Sequence, residues 1–235
     1  MLPRISSAVR LRVGLALSTA VLAGCGSSSS SSGNGIASKS PEQIVAAAKT
    51  AAAGAASVHI VGSIVSENKP ISLNMELVAG KGAKGRIALE GLSIDVIEVE
   101  HAFYLNGSAA FYRHVAGPAA AALLQGKWLK APQSSGEFAS LKQLTDLGTL
   151  IDSVLANHGT LTHAGTVTIE GQQAVGVKDP SGGTLYVAAT GTPYPLELLK
   201  AAGGEGRIVF DRWNQPVTLT APANAINITQ LQNGH

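Results

Sequence analysis

Ile71-Ser72-Leu73-Asn74-Met75-Glu76-Leu77-Val78 is the stretch on which the fold turns. Ile71, Leu73, Met75 and Leu77 share one parity and Ser72, Asn74 and Glu76 the other, which is the period of a strand with a single buried face. Such strands belong to antiparallel sheets, which can pack on one side and meet water on the other.

The same period begins upstream at Val58. Before it, Ser40-Pro41-Glu42-Gln43 reads as a capping box with proline at the first helical position. The alanine-rich run Pro41 to Ala53 is therefore a helix, stopping near Gly54. Downstream, strands are expected at Arg86 to Leu89, Leu92 to Val99 and Ala102 to Leu105, with turns at Gly80 to Gly85 and at Gly91. The apolar phase slips between Val96 and Ile97, which predicts a bulge or a strong bend that curves the sheet.

Ser108 to Gln125 reads as helical, divided by Gly117-Pro118, with Phe111 and Val115 in the first piece and Leu123 and Leu124 in the second. A short extended segment follows at Lys127 to Lys130. A second helix is expected from Thr145 to Asn157, carrying Leu147, Leu150, Ile151, Val154 and Leu155 on a broad apolar stripe. Strands then return at Thr162 to Glu170, Ala174 to Lys178, Thr184 to Ala189, Leu196 to Lys200, Arg207 to Asp211 and Val217 to Thr220. A sheet interrupted in its middle by helices is α+β.

The other end of the chain carries a different message. Arg4, Arg10 and Arg12 precede the apolar run Val13 to Leu22, which is too short for a stable span of a hydrocarbon core and closes on Leu22-Ala23-Gly24-Cys25. This motif resembles the lipobox of bacterial lipoproteins. The resemblance implies cleavage between Gly24 and Cys25 and acylation of the Cys25 thiol. Gly26 to Ser38, rich in Gly and Ser, reads as a flexible tether with a typical span of about 20 Å. The chain thus divides into a leader at 1–24, an acylated cysteine and tether at 25–38, and one domain at 39–235.

Loss of the leader changes the charge balance. The 17 basic residues fall to 14 against 15 acidic ones, so the formal charge passes from +2 to −1. A basic nucleic-acid surface is unsupported. Cys25 is the sole cysteine, which excludes an internal disulfide and leaves the mature domain without a thiol for metal binding. The domain is long enough to bury about 70% of its unfolded surface in one core.

Ser57-Val58-His59 after the first helix, Gly126-Lys127-Trp128 after the central ones, and Gly183-Thr184-Leu185-Tyr186-Val187 followed by Pro193-Tyr194-Pro195-Leu196 resemble actinobacterial lipoproteins of the LppX/LprG type. The resemblance implies a LolA-like, U-shaped antiparallel β half-barrel with helices packed on its concave face. It also implies the binding or transfer of acylated lipids or lipoglycans in the cell envelope. The family supplies no ligand motif to carry over residue by residue. Aromatic residues make up only 4% of the chain, so aliphatic side chains would line any cavity.

No Gly-x-Ser-x-Gly elbow, phosphate-binding glycine loop or Cys/His metal spacing occurs, so a catalytic residue, cofactor or metal is not expected. His59, His101, His114, His158 and His163 are scattered and read as structural or surface residues. Glu98 and Glu100 share a strand parity, so a carboxylate pair could do acid/base work there, but a solvated outer face suits them better because Ile97 and Val99 alternate with them. Asp179, Ser181 and Gly182 are turn chemistry, and Trp128 and Trp213 read as core aromatics. If a cavity lies under the sheet, Met75, Leu77, Leu89, Ile94, Leu105, Leu123, Ile151 and Leu155 are expected along it.

The reading is a monomer anchored through Cys25 at the extracytoplasmic face of the cell membrane, a non-enzyme whose partners are acyl chains. The alternative is an envelope protein-interaction module whose sheet packs fully.

Overall fold

The alternating stretch at 71–78 lies in the second strand of a twelve-stranded sheet. In a computed structural model of the protein, the described residues are 33–66, 69–134, 139–154, 159–200 and 206–232. Leu73, Met75 and Leu77 are buried, as their parity requires. The lipobox residues Leu22, Ala23, Gly24 and Cys25, together with Leu155 and His158, lie outside the described residues.

Helix α1 (Pro41–Ala53) starts on the capping box: the Gln43 N–H donates to Ser40 Oγ, and the Ser40 N–H to Gln43 Oε1. Its buried Ile44, Ala48 and Ala52 recur at spacings of four, the stripe that meets the sheet. Strands β1 (Ser57–Ser66), β2 (Lys69–Val78), β3 (Gly82–Leu89), β4 (Leu92–Val99) and β5 (Ala102–Gly107) form an antiparallel meander. Helices α2 (Ala109–Leu124), α3 (Ala139–Thr145) and α4 (Leu147–Val154) bracket β6 (Leu129–Pro132). Strands β7 (Thr162–Ile169), β8 (Gln172–Lys178), β9 (Thr184–Ala188), β10 (Pro195–Lys200) and β11 (Gly206–Asp211) form the second half, before β12 (Ile226–Asn227) and helix α5 (Ile228–Gln232).

The sheet order is β12-β6-β5-β4-β3-β2-β1-β11-β10-β9-β8-β7. Because β11 pairs with β1, the two halves of the chain join at its first strand. The ends, β12 and β7, do not close on each other. The result is an open α+β half-barrel, antiparallel except where β12 joins β6.

Pairing fixes the two faces. Ile60, Met75, Gly85, Val96 and Leu105 are cross-strand neighbours on the inner face, against which α1, α3 and α4 pack. A larger apolar cluster joins Ile44, Met75, Leu77, Leu147, Ile151 and Phe210; a smaller one joins Val96, Phe103, Leu105 and Ala131, with Leu141 of α3 against it. Ile87 on β3 touches both.

Several expectations are corrected. The register of β4 is continuous on both sides, so no bulge sits between Val96 and Ile97. The breaks occur instead at Pro195/Glu197 and at His163/Gly165. The supposed turn Gly80 to Gly85 is mostly strand, because β3 begins at Gly82. There φ is 123°, and any side chain would strike the Glu98 carbonyl. The helix expected from Thr145 begins at Leu147 as α4, and a separate helix, α3, not expected from the sequence, ends at Thr145; between them the Asp146 carboxylate takes the Thr149 N–H at 2.8 Å. Val217 to Thr220 is not a strand; it belongs to a segment carrying the chain from β11 past five strands to β6, with the Lys84 ammonium donating to the Thr218 carbonyl.

The polar tether also ends sooner than expected. The Asn34 N–H donates to the Ala189 carbonyl and its side chain to Ala188 and Gly191, while Ile36 is buried in the larger cluster. The hydrogen bonds of Asn34 and the burial of Ile36 together pin the segment.

Candidate functional site

The apolar residues expected along a cavity divide three ways. Met75, Leu77 and Ile151 are fully packed in the larger cluster, and Leu105 and Ile94 belong to the smaller one. Leu89 is half-buried at the far end of β3, opposite Ile71 and Leu92. Leu123 lies outside both clusters, 66% exposed on α2.

A cavity of about 660 Å³ opens where helices α3 and α4 meet the end of the sheet at the β2–β3 and β4–β5 turns. Glu98, Lys142, Thr145, Leu147, His101 and Val217 are on its wall. Leu147 also belongs to the larger apolar cluster, so the cavity adjoins the core.

Glu98 is the residue of interest there. Its side chain is 6% exposed, against the expectation of a solvated outer face. The reason is register: Glu98 pairs with Ala83 and Phe103, both fully buried inner-face residues. Its Oε1 accepts from the Gln133 amide and lies 3.7 Å from the Lys142 ammonium. Its Oε2 is buried with no hydrogen-bond partner among the described residues. A buried acceptor without a donor costs about 1–3 kcal/mol, so this oxygen is a standing demand for one. The signal was present in the sequence, since Ile94, Val96 and Glu98 have one parity.

Glu100, by contrast, is exposed in the turn at φ 53°. The two carboxylates are not brought together as an acid/base pair.

The outer face carries a groove of about 550 Å³ in which charge answers charge. Arg86 donates to Asp95 through Nε at 2.6 Å and a terminal nitrogen at 2.9 Å, and Glu76 receives Lys84 and Arg212 at 3.1 Å each. His59 lies 2.6 Å from Asp211 and 3.1 Å from Asn74 through its two ring nitrogens, a satisfied structural histidine. These groups have partners already. The groove needs no ligand to complete it, and its exposed pairs contribute little stability.

Trp213 is half-buried against the larger cluster, stacks on Tyr194 at 4.5 Å and donates its indole N–H to the Pro195 carbonyl. Trp128 is a half-buried wall of the outer groove. No group of three or more metal-ligating side chains occurs among the described residues. No helix among them is long and apolar enough to cross a membrane.

No family model matches the chain, and no curated protein matches it. Among solved structures it is similar to LprF from Mycobacterium bovis, with 16% identity, 78% of this chain and 97% of that chain covered, and a TM-score of 0.56. A conserved protein from Thermus thermophilus shares 11% identity over 79% of this chain and 96% of its own, at a TM-score of 0.37. MucB, solved in complex with MucA, shares 13% over 79% and 60%, also at 0.37. The likeness to LprF is one of fold, and that fold is the one the LppX/LprG resemblance implied.

Proposed function

We propose that this chain, sharing its fold with LprF, is a non-enzymatic lipoprotein of the cell envelope that binds acylated lipids and passes them on at the membrane surface. The acyl chains would enter between the inner face of the half-barrel and helices α3 and α4, with the polar headgroup at the Glu98 cavity. The observation that carries this reading is the cover itself. One side of an apolar sheet is closed by helices of seven and eight residues, which are too short to be stable without the surface beneath them.

Magnitudes favour such an opening. A buried methylene gains about 0.8 kcal/mol, so ten of them supply about 8 kcal/mol, comparable to the whole stability of a typical domain. A ligand on that scale can displace a short helix. A headgroup hydroxyl or ammonium would also give Glu98 Oε2 its missing donor.

The apolar side chains of the inner face are in mutual contact, which suits the rival reading of a protein-interaction module. Native mass spectrometry of the mature, acylated chain separates the two. The expected result is a non-covalent lipid mass beyond the Cys25 anchor, with a loss of thermal stability on delipidation. A chain that is free of lipid and indifferent to delipidation would leave the interaction module standing.

A further inference from the structure

Val115 to Leu124 reads Val-Ala-Gly-Pro-Ala-Ala-Ala-Ala-Leu-Leu, ten consecutive residues without a polar side chain. In the fold they form the outer part of α2, and six of them are exposed: Val115, Ala116, Pro118, Ala119, Ala122 and Leu123. Val115 and Leu123 stand 57% and 66% exposed, the large apolar side chains most open to solvent among the described residues. A helix facing water ordinarily turns polar side chains outward, and this stretch of α2 has none to turn. Gly117, at φ 83° and ψ 173°, splits it into two short pieces, neither long enough to span a bilayer.

Charge along this part of the chain has one sign. Arg113, His114, Lys127 and Lys130 flank it, all exposed, and no Asp or Glu occurs from His101 to Gly136. The Lys130 ammonium sits 5.7 Å from the Tyr104 ring, and Trp128 follows two residues after Gly126. A short apolar stretch flanked on both sides by cations is the pattern of an element lying in a membrane interface.

We infer that α2 is a second membrane contact, its Val115–Leu124 surface inserting at the interface of a bilayer containing anionic lipid. The inference takes only the Cys25 anchor from the proposed function and nothing from the cargo. Cys25 precedes Gly33 by eight residues, at most about 29 Å when fully extended, so an anchored domain stays close to its bilayer. Asn34 is bound beside Ala189, at the end of the sheet where β1 begins, whereas α2 follows Gly107 at the opposite end. A ten-residue strand is about 33 Å long, so both contacts together lay the strands aslant along the surface.

The test places an environment-sensitive fluorophore on Val115→Cys, Leu123→Cys or, as a control on exposed β7, Thr166→Cys in the full acylated chain. The introduced thiol is then the free one. Chains are reconstituted in vesicles of phosphatidylglycerol with phosphatidylcholine, or of phosphatidylcholine alone, carrying nitroxide-labelled acyl chains. With phosphatidylglycerol, probes at 115 and 123 should shift to the blue and be quenched, while the probe at 166 is neither. Arg113→Glu with Lys127→Glu should cut the quenching several-fold, as should high salt. Probes at 115 and 123 that behave like the control overturn the inference. Quenching that survives charge reversal overturns its anionic-lipid part, and a blue shift without quenching that grows with protein density assigns the patch to a second copy of the chain. Flotation of unlabelled protein reports the anchor separately, so its failure is not mistaken for failure of α2.

Discussion

Glu98 illustrates how a single residue can mislead by its neighbours. Ile97 and Val99 flank it, and a charged residue between two apolar ones reads as the outward member of the alternation. Both neighbours are in fact half-buried on the outer face, and Glu98 lies under the helices. The apparent slip of phase at Val96–Ile97 is the same fact seen from the sequence: an inward carboxylate in an otherwise apolar series. Glu98→Leu removes the unpartnered oxygen with similar bulk, so urea denaturation should show stability unchanged or raised by about 1 kcal/mol. Lipid retention by the same variant should fall, because a headgroup donor loses its acceptor. A large loss of stability would make Glu98 a structural residue and withdraw its role at the cavity.

Between α3 and α4, the break at Asp146 decides how the cover is built. The Thr149 N–H holds the Asp146 carboxyl below its ordinary range, with the nearby Lys142 charge assisting. A carboxylate with a depressed folded pKa adds stability that is fully present above the ordinary value, about 4, and is lost as pH falls through the folded value. Asp146→Ala should therefore cost about 1 kcal/mol at neutral pH, with the difference from the native chain shrinking in acid. Asp146→Asn, which still accepts the hydrogen bond, should lose less and show little pH dependence. Denaturant titrations at pH 7 and pH 3 check both. The start of α4 is legible to within two residues, since a helix is expected from Thr145; α3 before it is not, because its seven residues are too few for a helical period to stand out. By contrast, the start of α1 follows directly from Ser40, Pro41 and Gln43, whose capping chemistry is local.

For the whole molecule, the position of the anchor makes a separate prediction. Cys25→Ala should move the protein from the membrane fraction to the soluble one, since a short interfacial helix alone binds marginally. Retention in the membrane fraction would remove the acylation reading. The sequence by itself determined the strands with one apolar face, the central interruption by helices and the division of α2 at Gly117-Pro118, and it carries the motif on which the proposed acylation of Cys25 rests. Each depends on a period, a cap or a covalent motif contained within a few residues. The order of the twelve strands, the pairing of β1 with β11, the long segment past the outer face and the burial of Glu98 were decided only by tertiary structure. These depend on which faces meet across distances in sequence of up to about 150 residues, such as His59 with Asp211, and no local period encodes that choice.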